Sequence, residues 1–158
     1  MRFANPPAIH TPTRRSCLFA AAVLMMALHA NAADPAADGS PSVRVRDKVV
    51  FQVSDADPKK WTLALNNAKN IQAALGRDNV DIEIVAYGPG IGILKGDSEA
   101  KAKVEEAQSA GVKLVACENT MASQKLVKTE MLPGISYAPA GVVEIMRRQQ
   151  EGYAYIKP

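Results

Sequence analysis

The feature that most constrains this chain is an alternation: short, β-rich apolar runs take turns with stretches whose apolar residues recur at helical spacing. Residues 48–53, Lys48-Val49-Val50-Phe51-Gln52-Val53, form the first run. Asp57-Pro58 follows, an N-cap residue with proline at the first helical position. The apolar positions Trp61, Ala64, Leu65, Ala68, Ile71 and Leu75 then make one stripe, which predicts a helix that stops at Gly76. Residues 80–86 alternate Val80, Ile82 and Ile84 with Asp81 and Glu83 before turning uniformly apolar, the pattern of a strand with one partly exposed end. Gly88-Pro89-Gly90 reads as a turn. A helix carrying Ala100, Val104 and Ala107, capped by Asp97 or Ser98, stops at Gly111. Residues 112–116 give a third strand ending at Cys117, and Asn119 or Thr120 can cap a short helix through Leu126. Residues 135–138 extend as a strand, residues 139–150 read as a helix with Val142, Val143 and Met146 inward, and residues 153–156 form a last strand. Strands alternating with helices require crossover connections. The expected fold is therefore α/β, a doubly wound, mainly parallel sheet with helices on both faces.

A different grammar governs the first 32 residues. They hold both histidines, His10 and His29, and three arginines, Arg2, Arg14 and Arg15, but no Asp or Glu. The basic stretch ends at Arg14-Arg15, an apolar run spans residues 17–28, and Ala30-Asn31-Ala32 supplies small residues for cleavage. This predicts an export signal removed after Ala32, hence a periplasmic protein. The apolar run is too short for a bilayer span, which needs about 20 residues, so no stable membrane anchor is expected after cleavage. Thr13-Arg14-Arg15-Ser16-Cys17-Leu18 resembles a twin-arginine signal, and the general secretory route is equally open. Residues 33–46, rich in Pro, Gly and Ser without apolar periodicity, read as a flexible leader, and residues 47–158 as the folded domain.

Cleavage would change the chemistry at the chain's disposal. Without the three arginines of the signal, 16 Lys and Arg balance 16 Asp and Glu, so the basic pI belongs to the signal and no nucleic-acid partner is expected. No histidine remains, which removes Ser-His-Asp and Cys-His catalysis and histidine metal sites together. One cysteine remains, Cys117, and in an oxidising compartment a lone thiol is buried, bonded to another molecule, or functional.

In an open parallel sheet ligands bind beyond the carboxyl ends of the strands. Those ends are Ser54-Asp55, Tyr87-Gly88, Cys117-Glu118-Asn119-Thr120 and Tyr137-Ala138. Cys117 precedes a helix start, where unpaired N–H groups lower a thiol pKa; a small buried hydrophobe is the competing reading. Glu118 would raise that pKa if it turned inward and is otherwise a solvated loop residue. Asp55 and Asp57 have no third carboxylate at ligand spacing, so no metal is expected. Gly88-Pro89-Gly90-Ile91-Gly92 is not a GxGxxG opening a helix, and no cofactor is expected; Gly88 and Gly90 remain turn or pocket-wall residues. Arg147 and Arg148 read as solvent-facing.

Taken together, several segments resemble the DsrE/DsrF-like family: Ser54-Asp55-x-Asp57-Pro58, Asn66-Asn67-Ala68-Lys69-Asn70, Val85-Ala86-Tyr87-Gly88-Pro89-Gly90-Ile91, Gly111-Val112-Lys113-Leu114-Val115-Ala116-Cys117-Glu118-Asn119-Thr120 and the ending from Gly141 to Pro158. The likeness runs through nearly all of residues 47–158. It implies a flavodoxin-like α/β sandwich that assembles into homo-trimers or hexamers. In sulfur-relay members a cysteine after the central strand takes up sulfane sulfur as a persulfide and exchanges it with donor and acceptor proteins, and Cys117 stands where that cysteine is expected. The resemblance thus implies a sulfur carrier or sulfurtransferase-like protein using Cys117, while the strand ends and the glycine-rich turn make Ser54, Asp55, Tyr87, Gly88, Gly90, Glu118, Asn119 and Thr120 the candidate binding residues. The alternative is a non-catalytic oligomeric protein that binds a small ligand or is purely structural, with Cys117 buried.

Overall fold

The computed structural model describes residues 46–158, so the expected export signal and all of the expected leader except Arg46 lie outside the described residues. Strand β1 (Asp47–Val53) is followed by helix α1 (Pro58–Leu75), β2 (Val80–Ala86), α2 (Lys101–Ser109), β3 (Lys113–Cys117), α3 (Glu118–Gln124), β4 (Ser136–Ala138), α4 (Gly141–Gln150) and β5 (Ala154–Ile156). The strands form one sheet in the order β4-β3-β2-β1-β5 with every pairing parallel. This is the expected α/β architecture.

Helix α1 starts as its sequence dictates: the Asp57 carboxylate accepts from the Lys59 N–H at 2.8 Å and Pro58 opens the first turn. Trp61, Ala64, Leu65 and Ala68 are buried along its stripe. Leu75, expected in that stripe, is 43% exposed. Gln72 is buried instead, because its amide reaches across to the Ala110 carbonyl at 2.9 Å and so enters the core with its hydrogen bond made.

Strand side chains alternate between the faces of the sheet. Val49, Phe51, Val53, Ile82, Ile84, Ala86, Leu114 and Ala116 point to the face covered by α1, α2 and α3, forming the larger core with Trp61, Leu65, Val104 and Met121. Val50, Val85, Val115 and Ala138 point the other way, against Ile145 of α4. Helices therefore cover both faces, unequally.

Locally the structure departs from the sequence pattern in several places. Gly88-Pro89-Gly90 is not an isolated turn but the start of a 3₁₀ helix, Gly88–Leu94, whose Ile91, Ile93 and Leu94 are buried. The short helix α3 begins at Glu118, directly after Cys117, rather than being capped by Asn119 or Thr120, and the Thr120 hydroxyl instead accepts from the Gly88 N–H at 2.9 Å. Helix α4 is turned from its expected face: Val142 and Met146 are 57% and 50% exposed, while Gly141 and Ile145 are buried. The reason is charge. Arg148 does not face solvent but ion-pairs with Glu83, whose side chain is 2% exposed in β2 and was expected at a partly exposed strand end. A buried carboxylate needs an opposite charge, and that need outweighs burying two apolar side chains.

Candidate functional site

The loops leaving β1, β2 and β3 lead to helices on the larger-core face, whereas the loop leaving β4 leads to α4 on the other face. The connections diverge between β3 and β4, and the crevice beyond the carboxyl ends of strands at such a divergence is where open α/β sheets bind ligands. Cys117 is the last residue of β3, opposite Ala138 at the end of β4. Sequence placed it at a strand end; the topology adds that this end lies at the divergence.

Cys117 follows the alternation of Val115 and so faces the α4 side, where it is 5% exposed. Gly141, the first residue of α4, closes over it. A Cβ on Gly141 would lie 3.0 Å from the Tyr87 Cβ and 3.3 Å from the Cys117 Cβ, tighter than ordinary contact, so glycine lets the helix start come this near without pushing either side chain aside. Burial alone would raise the thiol pKa. The Thr120 side chain and the backbone N–H groups of Gly141, Thr120 and Asn119 outweigh it, and the net effect is to bring the thiol below its ordinary 9.0.

Tyr87 stands beside it. Burial foremost and then the neighbouring Tyr155 push its pKa up, with Asp55 and Cys117 acting in the same direction and a hydrogen bond from Ser54 opposing. The ring therefore keeps its hydroxyl proton and stays a hydrogen-bond donor beside a group that carries negative charge as a thiolate. Gln52 links this side: its amide donates to Ser54 Oγ at 3.0 Å and its carbonyl accepts from the Tyr155 hydroxyl. Asp55 ion-pairs with Lys60 at 3.0 Å, and its backbone carbonyl accepts from Trp61 Nε1 at 2.7 Å.

Of the residues singled out from sequence, Cys117, Tyr87, Ser54, Asp55, Asn119 and Thr120 come together at this end of the sheet. Asn119 presents its backbone to the thiol, while its own N–H also donates to the Pro139 carbonyl at 3.1 Å. Glu118 is not among them: it pairs with Lys128 at 3.2 Å. Gly88 and Gly90 are scaffold. The Gly88 N–H donates to Thr120, its carbonyl accepts from Gln124, and Gly90 packs on the β1 backbone with its N–H on the Ser54 carbonyl at 3.1 Å. Gly141, Gln52 and Tyr155 were missed as site residues. The small pair Ala140-Gly141, just after a strand end, was the available signal for the first.

Among the described residues no three His, Cys, Asp or Glu side chains come together so as to hold a metal ion, and no helix is long and apolar enough to cross a membrane. A cleft of about 140 Å³ between α1 and α2, lined by Leu65, Asn66, Lys69, Lys103 and Glu106, lies on the opposite side of the sheet from Cys117. Its charged lining is Lys103 and an exposed Lys69–Glu106 pair at 2.7 Å, and it holds no nucleophile, so chemistry points to the Cys117 end rather than to this cleft.

The model of the DsrE/DsrF-like family matches residues 47–158. The structure of the protein of unknown function MTH1491 from Methanobacterium thermoautotrophicum is similar at 38% identity and a TM-score of 0.68, covering 71% of this chain and 99% of that one. The protein of unknown function BT1422 from Bacteroides thetaiotaomicron is similar in fold, with a TM-score of 0.57 at 15% identity over 71% of this chain and 95% of that one. No curated protein matches significantly.

Proposed function

This chain belongs to the DsrE/DsrF-like family, a sulfur-relay-related family, and from that premise we propose that it is an exported, periplasmic sulfur carrier that holds sulfane sulfur as a persulfide on Cys117. The observation that carries the reading is the surroundings of Cys117: a thiol at the sheet's divergence point, beneath Gly141, whose neighbouring donors favour the thiolate. A thiolate is the species that attacks sulfur.

The step balances without metal, cofactor or oxidant. The Cys117 thiolate attacks the terminal sulfur of a donor persulfide; a new S–S bond forms on Cys117 as the donor's own S–S bond breaks, and the donor leaves as a thiolate. Delivery to an acceptor thiol reverses the roles. The Thr120 hydroxyl and the backbone of Gly141 and Thr120 favour negative charge on the sulfur before attack and again on delivery. Assembly into a homo-trimer or hexamer, and exchange with a donor or acceptor protein, belong to the same proposal.

The test is sulfur turnover. The chain, loaded from a persulfide donor and freed of excess, should release thiocyanate on cyanide treatment in proportion to Cys117, and Cys117→Ser should release none. Equal release from both would refute the reading.

A second reading has one observation behind it, the 5% exposure of Cys117. In it the thiol is packing in a non-catalytic oligomeric protein. Native protein that reacts with a chromogenic disulfide only once unfolded would decide for that reading.

A further inference from the structure

Helix α4 starts at the cysteine and ends at a buried charge, and the two ends belong to one short rod of 10 residues. Apolar packing holds it weakly. Ile145 is its one buried large side chain, while Val142 and Met146 are exposed. What fixes it is Arg148. Its Nε lies 2.9 Å from Glu83 Oε2, and its other nitrogens reach Glu144 at 2.9 Å and Glu151 at 2.8 Å. Glu83, 2% exposed in the middle of β2, also meets Lys113 of β3 at 3.0 Å, so the carboxylate is tied to the sheet and the guanidinium to the helix.

A buried carboxylate loses its hydration wherever the helix sits, and Glu83 Oε1 has no hydrogen-bond partner, so the carboxylate depends on the counter-charges at its Oε2, and a register of α4 that withdraws Arg148 removes one of them. A slide or rotation of α4 at Arg148 is carried along the rod to Gly141, about two turns or roughly 10 Å away. There the helix start lies so close to Tyr87 and Cys117 that even an added methyl group would crowd both.

We propose that Glu83 and Arg148 are a positioning pair for Cys117: they set the register of α4 on the sheet and thereby hold its first residue, Gly141, against Cys117. This rests on reading Cys117 as the reacting group. Neither residue touches that sulfur in the structure, and their effect on it passes through the helix.

The pH profile of Cys117 alkylation by iodoacetamide tests this on the chain from residue 33 onward, in which Cys117 is the one thiol. Loss of one hydrogen bond to the anionic sulfur should move the thiolate midpoint up by about one unit, a roughly tenfold slower reaction below the midpoint. Glu83→Gln separates position from field: removing a negative charge acts through space to lower the midpoint, whereas release of α4 raises it. Because Glu83→Gln could fail to fold, the paired Glu83→Met/Arg148→Met variant removes both charges and fills the space with apolar side chains, a replacement that buried ion pairs tolerate. It too should show the upward shift, Arg148→Lys a smaller one, and Arg147→Met, at the exposed neighbour, none. A wild-type midpoint in the paired variant, or a downward shift in Glu83→Gln, would overturn the proposal. The carrier reading fails separately: wild-type protein that takes up no sulfur, yet shows the shift in these variants, leaves the positioning pair standing.

Discussion

Gly90→Ala should damage this fold more than its single added methyl group suggests. A Cβ at Gly90 would stand 2.3 Å from the Val53 carbonyl oxygen, 2.6 Å from the Val53 carbonyl carbon and 2.8 Å from the Ser54 Cα. The first of these is roughly 1 Å inside ordinary contact, and every neighbour is backbone. Val53 cannot retreat, because it pairs with Ala86 of β2 in the interior of the sheet. The segment Gly88–Leu94 must lift instead, and it carries Ile91, Ile93 and Leu94, each no more than 1% exposed, together with the Gly90 to Ser54 hydrogen bond. Overpacking costs about 2 kcal/mol and the lost bond about 1 kcal/mol more, so a loss of about 3 kcal/mol is expected. For a domain of this size that lowers the melting temperature by about 12 °C. Gly88→Ala is the comparison. Its nearest neighbour would be the Ser54 carbonyl oxygen at 3.8 Å, leaving only the strain of φ +53°, about 1 kcal/mol. Thermal unfolding followed by circular dichroism reads both. A Gly90→Ala melt within about 3 °C of wild type, or one above that of Gly88→Ala, would refute the argument.

Asp57→Ala removes the side chain that accepts from the Lys59 N–H and should cost about 1 kcal/mol, read as a lower urea midpoint at unchanged slope. Trp61→Phe keeps most of the buried ring but abandons the bond to the Asp55 carbonyl, for about 1 kcal/mol by the same assay; an unchanged midpoint would show that bond to be worthless. The depressed thiol pKa of Cys117 links stability to pH: thiolate stabilisation is fully present above the ordinary value of 9.0 and is lost as pH falls through the lower folded value. Wild type should therefore gain stability over Cys117→Ser as pH rises through that window, and a flat difference would contradict the assignment.

The elements whose periodicity reports burial directly were legible in the sequence. Helix α1 declared itself through Asp57-Pro58 and its stripe, and β1, β2 and β3 through their β-rich runs, which was enough to put Cys117 at a strand end. What stayed hidden depends on partners distant in sequence. Glu83 sits between Ile82 and Ile84 in a pattern that reads equally well as an exposed strand end, and only the arrival of Arg148 reveals a buried charge. That same pairing inverted α4, since amphipathicity turns Val142 and Met146 inward when arginine is assumed to seek water. The Gly88–Leu94 3₁₀ helix gave no helical period to find, and Gly90 is needed there because the β1 backbone lies against it. For the site, Cys117, Tyr87 and Thr120 could be named from strand ends, whereas Gly141 comes from an element that local sequence does not connect to them.

The most direct test of the account is the intact mass of the chain from residue 33 to residue 158, before and after exposure to polysulfide, with Cys117→Ser alongside. If Cys117 carries sulfane sulfur, the protein gains one sulfur atom that reductant reverses and the variant lacks. No gain by protein whose Cys117 is shown to be a free thiol, or an equal gain by the variant, would contradict it.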